Sequence, residues 1–147
     1  MLKTGLSFVV VPILILFLSM PAWAGGDLSG WQPKVVSVMD KVKLEAIYTD
    51  PFVVGDKDED VAVWPLYKQE VTGQNLVGYI YESIEFSSIP GFMGVPYNVL
   101  VVLGLKGEFL DARVLYHREP MFIEGYGEKP MHDFVAQYSG LSLTAKY

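Results

Sequence analysis

"YNVLVVLGLKGEFLDARVLYH", residues 97–117, decides the fold class. Tyr97 to Leu105 is a continuous apolar run rich in Val and Leu, the pattern of a strand covered on both faces. Lys106-Gly107-Glu108 supplies a short turn, and the residues after it alternate, with Asp111 and Arg113 on the polar side. Two strands joined by so short a turn must be antiparallel, because a parallel return needs a crossover of a dozen or more residues.

Upstream, "NLVGYIYES" (residues 75–83) has the β-branched and aromatic content of a strand, and Thr72-Gly73-Gln74 before it reads as a hairpin turn. "VAVWPLYKQ" (61–69) is a strand carrying a proline, which predicts an edge or a bulge. Ser87 to Pro96 is a loop with Pro90-Gly91 turn chemistry. Between Pro33 and Tyr48, Val35, Val38, Met39, Val42 and Ala46 recur at helical spacing, with Pro33 suited to a first turn; the valines suit a strand equally. Residues 49–63 read as a loop with an acidic run at Asp56, Asp58, Glu59 and Asp60. That run lacks the sixth-position glycine and distant glutamate of a calcium loop, so it reads as solvated. Downstream, Pro130 opens a helix with Met131, Phe134, Val135 and Tyr138 on one stripe, and Gly140 stops it. The architecture expected is α+β: an antiparallel sheet with helices packed on one face.

The first 24 residues read as a secretory signal peptide rather than as fold. Lys3 precedes the apolar run Leu6 to Met20, and Ala22-Trp23-Ala24 is a small-x-small cleavage pattern. A retained anchor is the alternative, the run being near the lower limit for a membrane span. Either way the expectation is an extracytoplasmic, periplasm-like location. Without that segment, 123 of the 147 residues remain, with 10 basic against 17 acidic side chains, a net charge of −7. An acidic chain with no basic cluster is a poor nucleic-acid partner, since phosphate neutralisation drives that affinity. With no cysteine, thiolate-held iron–sulfur clusters and c-type haem attachment are excluded in this chain.

Between the last strand and the last helix lies "HREPMFIEGYGEKP", residues 117–130. Glu119 precedes proline and is biased to an extended conformation, while Gly125 and Gly127 flank Tyr126 and permit tight bending. The segment is either a plain strand-to-helix connection with solvated charges or a loop whose backbone approaches a flat or anionic ligand. Enzymatic readings are weaker. No serine or cysteine nucleophile is recognisable beside His117 and Glu119, so no catalytic residue is assigned. His117, Glu119 and His132 do not have the spacing of a known metal site.

"LVGYIYES", "GFMGVPYNVLVVLGLKGEFLDARVLYHREP" and "EGYGEKPMHDFVAQYSG" together carry a resemblance. The run from Trp64 to Leu143 resembles the extracytoplasmic FMN-binding domain of the NosR/NirI family, related to the FMN-binding domains of Rnf and sodium-translocating NADH:quinone reductase complexes. Shared features are a Gly-rich loop, an apolar strand, a strand ending in H-x-E-P and a G-x-x-E-K-like helix start. With the signal peptide 1–24 set aside and residues 25–60 read as an N-terminal helix and acidic loop, the resemblance makes 61–147 an FMN-binding-like domain, either truncated or without covalent attachment. It also implies electron transfer by FMN, with a membrane redox protein or exported electron acceptor as partner. A flavin transferase would install the cofactor on the threonine of an S-G-A-T motif. That motif is absent: Ser139-Gly140-Leu141-Ser142 shares only its first two letters, and Thr144 is not expected to be the acceptor. The flavin would border loop 117–130, with His117 and Glu119 at its polar edge. Met121, Tyr126 and Tyr97 would meet its faces, and Gly94 would lie in the loop across the pocket. The alternative is a non-catalytic exported interaction or sensory domain on the same scaffold, without flavin.

Overall fold

The computed structural model describes residues 34–145. The expected signal peptide and Pro33 lie outside the described residues. Helix α1 (Lys41–Ile47) is followed by strand β1 (Phe52–Val54), β2 (Trp64–Glu70) and β3 (Gly73–Glu82). A single turn, α2 (Ser83–Phe86), precedes β4 (Asn98–Gly104) and β5 (Phe109–Tyr116). A π-helical turn (Met121–Tyr126) then leads into helix α3 (Lys129–Ala136). All five strands pair antiparallel in chain order, β1-β2-β3-β4-β5. The α+β class and the antiparallel sheet are as expected, and no helix among the described residues is long and apolar enough to cross a membrane.

The apolar run at residues 97–105 becomes β4 because both of its faces are covered. Leu100 and Val102 are fully buried on one face and pack with Leu44 of α1, Val54, Trp64, Leu66 and Ile80. Val99 and Val101 point the other way, opposite Val114 and Ala112 of β5, where Met131 and Val135 of α3 join them. Side chains alternate along a strand, so the helices divide between the two faces, α1 on one and α3 on the other. This corrects the single-faced arrangement expected from sequence. The strand has apolar side chains on both sides, and each side needs a cover.

The expected helix over 33–48 shrinks to Lys41–Ile47, and Val42 and Ala46 are exposed while Leu44 carries the buried contact. The cause lies in the backbone donors just upstream. The amides of Val38 and Met39 and the Ser37 hydroxyl all donate to the Glu82 carboxylate. Residues 34–39 accordingly form no helix, and Asp40 caps α1 by accepting from the Lys43 amide at 2.9 Å.

The acidic loop hides a strand: Phe52–Val54 pairs with β2 and makes β1 the edge. β2 is therefore internal, and a register shift between Leu66 and Tyr67 supplies the bulge expected beside Pro65. The proline marks where β1 stops. Gly55 N–H donates to the Pro65 carbonyl at 2.8 Å, but proline has no N–H to return. In the sheet centre, Gly78 of β3 faces β4 so closely that a Cβ would stand 3.0 Å from the Leu103 carbonyl carbon and 3.1 Å from the Gly104 Cα.

Candidate functional site

Loops 87–96 and 117–130 meet where β3 and β5 end and β4 begins. Glu119, 7% exposed, ties them together. Its Oε1 accepts from the Phe92 amide at 2.8 Å, and its carbonyl accepts from the Phe122 and Ile123 amides of the π-helical turn. Its own N–H donates to His117 Nδ1 at 3.2 Å. Gly91 allows the approach, because a Cβ there would collide with the Glu119 carboxylate and the Tyr97 ring. Burial, then the Glu119 carboxylate beside the hydroxyl, pushes Tyr97 up to about 12. Tyr97 therefore stays a neutral phenol throughout the physiological range.

His117, 8% exposed, is packed between rings. Tyr97 stacks on it with centroids 6.5 Å apart, and Phe122 meets it edge-on at 6.0 Å. Because the Glu119 amide occupies Nδ1 as an acceptor, the neutral ring carries its proton on Nε2. Nε2 lies 3.4 Å from Glu128 Oε2 without hydrogen-bond alignment, and it is left buried and unpartnered. His132 Nε2 lies 3.6 Å from the same oxygen.

Beside these residues runs an apolar groove of about 640 Å³ between the outer face of β4–β5 and α3. Val99, Val101 and Ala112 form its floor, and Tyr97, Phe122 and Phe134 are among its walls. The volume falls within the range of about 300–1,000 Å³ usual for small-molecule sites. The lining holds no Lys or Arg.

Of the residues singled out from sequence, the structure brings Tyr97, His117 and Glu119 together. Gly94 lies in the same loop, at φ +72°, with its amide on the Gly91 carbonyl. Met121 and Tyr126 lie on the outside of the π-helical turn, 54% and 79% exposed, away from the buried cluster. Gly125 and Gly127 have open space where a Cβ would be. No group of three or more His, Asp or Glu among the described residues is arranged to hold a metal ion.

One buried carboxylate escaped the sequence reading. Glu82 is fully buried and takes bonds from Ser37, Val38, Met39 and, at 2.6 Å, Asn98 Nδ2. Burial alone would raise its carboxyl, but these donors outweigh it and hold the group below the ordinary carboxylate value. A signal was present: Gly78, Ile80 and Glu82 share one face of β3, so the alternation puts a carboxylate at a core position.

Among curated proteins, the chain is 29% identical over 106 residues to the regulatory protein NosR of Pseudomonas aeruginosa. It is 38% identical over 69 residues to the regulatory protein NosR of Stutzerimonas stutzeri. The chain carries a NosR-related region. The matches take in 72% and 47% of this chain, but only 14% and 10% of those NosR proteins, so it spans a small part of their length. No protein-family model matches the chain, and no solved structure matches it.

The groove of the NosR-related region can be tested against a flavin. Its aromatic walls and apolar floor suit a flat tricyclic ring; His117 packs against two of the walls, Tyr97 and Phe122, without lining the groove itself. The ring fits. The phosphate finds no cation in the lining and would have to project out of the groove.

Proposed function

We propose that this chain is an extracytoplasmic FMN-binding electron-transfer domain of NosR-like type, working with a membrane redox protein or an exported acceptor. The observation that carries the reading is the aromatic-walled groove, with the unpartnered His117 donor beside it, in a NosR-related chain. The flavin would supply the electron chemistry. The chain's own residues bind and orient: Tyr97 and Phe122 wall the ring slot, Glu119 fixes the Phe92 loop, and His117 packs against both wall rings. No S-G-A-T-type motif lies within these residues, so the groove itself is expected to hold flavin without a covalent bond to them.

The test is the visible absorption spectrum of the full chain, produced together with a flavin transferase, then denatured and filtered. Flavin colour that passes the filter is the expected result. Colour retained on the protein would show a covalent acceptor within the chain and overturn the non-covalent assignment. A colourless protein that also takes up no added FMN would overturn the flavin reading altogether.

A second reading has its own support. The groove has no cation for a phosphate, the chain's net charge is −6, and the curated relatives are named regulatory proteins. An interaction or sensory domain that lays an apolar partner segment in the groove meets these facts without flavin. It predicts partner binding that His117→Ala and Glu119→Ala leave unchanged.

A further inference from the structure

A second groove, of about 680 Å³, opens on the same sheet face as the first, toward β3. Tyr79 and Tyr81 of β3 stand opposite Leu103 and Val101 of β4, so they share the face that carries α3. α3 packs against β5 and leaves the β3 side uncovered. Tyr79 is 40% exposed there, and Phe86 of α2 and Val61, which also line the groove, are 55% and 53% exposed. Tyr81 and Phe86 meet at 77° with centroids 5.1 Å apart and make one aromatic corner of the wall. The volume again falls within the small-molecule range.

The two grooves differ in charge. No charged side chain lines the first, whereas Asp58 lines the second. Segments 57–61 and 83–86 supply Asp58, Val61 and Phe86 to the wall. They carry four carboxylates, Asp58, Glu59, Asp60 and Glu85, against one cation, Lys57. Lys57 is already engaged: its Nζ lies 3.2 Å from Glu85 and 3.8 Å from Glu59, and stands 4.8 Å over the Trp64 ring. Asp58 and Asp60 enter no ion pair among the described residues. Asp58 Oδ1 accepts from the Asp60 and Val61 amides at 3.0 and 3.2 Å, which fixes the carboxylate in its turn. Aromatic faces attract cations, and a carboxylate beside them adds to the attraction. The groove is therefore complementary to a positive charge on an apolar body, and its acidic surroundings repel an anion.

We propose that this groove is a binding site for a small amphipathic organic cation, an alkylated ammonium on an apolar body. The body lies over Leu103, and the charged end sits among Tyr79, Tyr81 and Phe86 beside Asp58. The site is independent of the flavin reading, since it shares no lining residue with the first groove.

The experiment is carbon-13 NMR of the full chain with labelled tyrosine, titrated with benzyltrimethylammonium. Benzyl alcohol is the neutral control and benzylsulfonate the anionic one. The cation should shift the Tyr79 and Tyr81 signals saturably, with a Kd of about 5 mM or tighter, a modest efficiency for so small a ligand. Benzyl alcohol should bind about tenfold more weakly, and benzylsulfonate should leave both signals in place. Asp58→Asn keeps an oxygen for the Asp60 and Val61 amides but removes the charge. It should weaken the cation about fivefold and leave benzyl alcohol unchanged. Tyr79→Leu keeps an apolar side chain but loses the ring face, and should have the same effect, read at Tyr81. Equal affinity for cation and alcohol, or a cation affinity within about twofold of the parent in both variants, would overturn the assignment. So would shifts confined to Tyr97 and Tyr138, which line the other groove. A Lys-Leu amphipathic peptide that shifts Tyr79 and Tyr81 where benzyltrimethylammonium does not would give the groove to a protein partner and overturn the small-ligand proposal.

Discussion

Glu82 shows how one side chain can set the course of a distant segment. Its two oxygens collect donors from Ser37, Val38, Met39 and Asn98, and this removes the amides an upstream helix would have used. Glu82→Gln would turn an NH₂ toward those donors and should lower stability by about 3 kcal/mol in chemical denaturation at neutral pH, the scale of hydrogen bonds to a buried charged group. The pH dependence has a definite sign. The folded carboxyl lies below its ordinary value, so its stabilisation is complete above that value and is lost as pH falls through the lower folded one. The parent's denaturation midpoint should therefore fall on acidification below about pH 4, and Glu82→Gln should show a shallower fall. At the candidate site, Glu119→Gln removes the negative charge beside Tyr97. The Tyr97 hydroxyl should then titrate below its present value of about 12, read by carbon-13 NMR of labelled tyrosine. No change would mean that burial alone sets it.

β3 and β4 approach closely because Gly78 leaves room for the backbone opposite. Gly78→Ala would push a Cβ into the Leu103 carbonyl group, and two central strands cannot yield as a flexible side chain can. Overpacking of this kind costs about 1–3 kcal/mol, and thermal unfolding of the variant should report it. Helix α3 depends on few anchors. Met131 and Val135 are its buried residues, while Phe134 and Tyr138 are half exposed at 55% and 43%. Met131→Ala should cost about 2–5 kcal/mol, with the loss of protection in hydrogen exchange concentrated over residues 129–136. A uniform loss across the sheet would show that α3 and the strands open together.

Among the described residues the sheet has two unequal covers. One face holds a closed core under α1, and the other carries a partial cover, α3, that leaves a groove beside it. That asymmetry is what makes a ligand site possible, since a fully packed face would leave no volume. Phe134→Ala with Tyr138→Ala removes two half-buried aromatic walls. On the flavin reading, the double variant should lose about tenfold in affinity for FMN, in line with about 0.5–1.5 kcal/mol per aromatic contact, and a smaller measure of stability. Fluorescence quenching of added FMN measures this. Equal loss of stability and affinity would place the two rings in the core instead.

Strands β2 to β5 and the two short turns joining β2 to β3 and β4 to β5 were legible from residues 61–117, because short turns and apolar alternation are local properties of the chain; the pairing of β3 with β4 was not. So were the α3 stripe and the polar strand end at His117 and Glu119. The extent of α1 was not legible, since the Glu82 carboxylate that claims its upstream amides lies more than forty residues away. Strand β1 was hidden for a similar reason: three residues inside an acidic loop become a strand only because β2 offers an edge to pair with. Which singled-out residues share a site was also a tertiary matter. Met121 and Tyr126 read like ligand contacts but face outward, whereas Gly91 and Glu128 gain their place only when the two loops and the start of α3 meet around His117. Sequence alone therefore determined four of the strands, the two short hairpin turns among them and the polar cluster's neighbourhood. Tertiary structure decided the two-faced packing, the groove and the orphaned His117 proton, because those depend on groups brought together by folding from far apart in the chain.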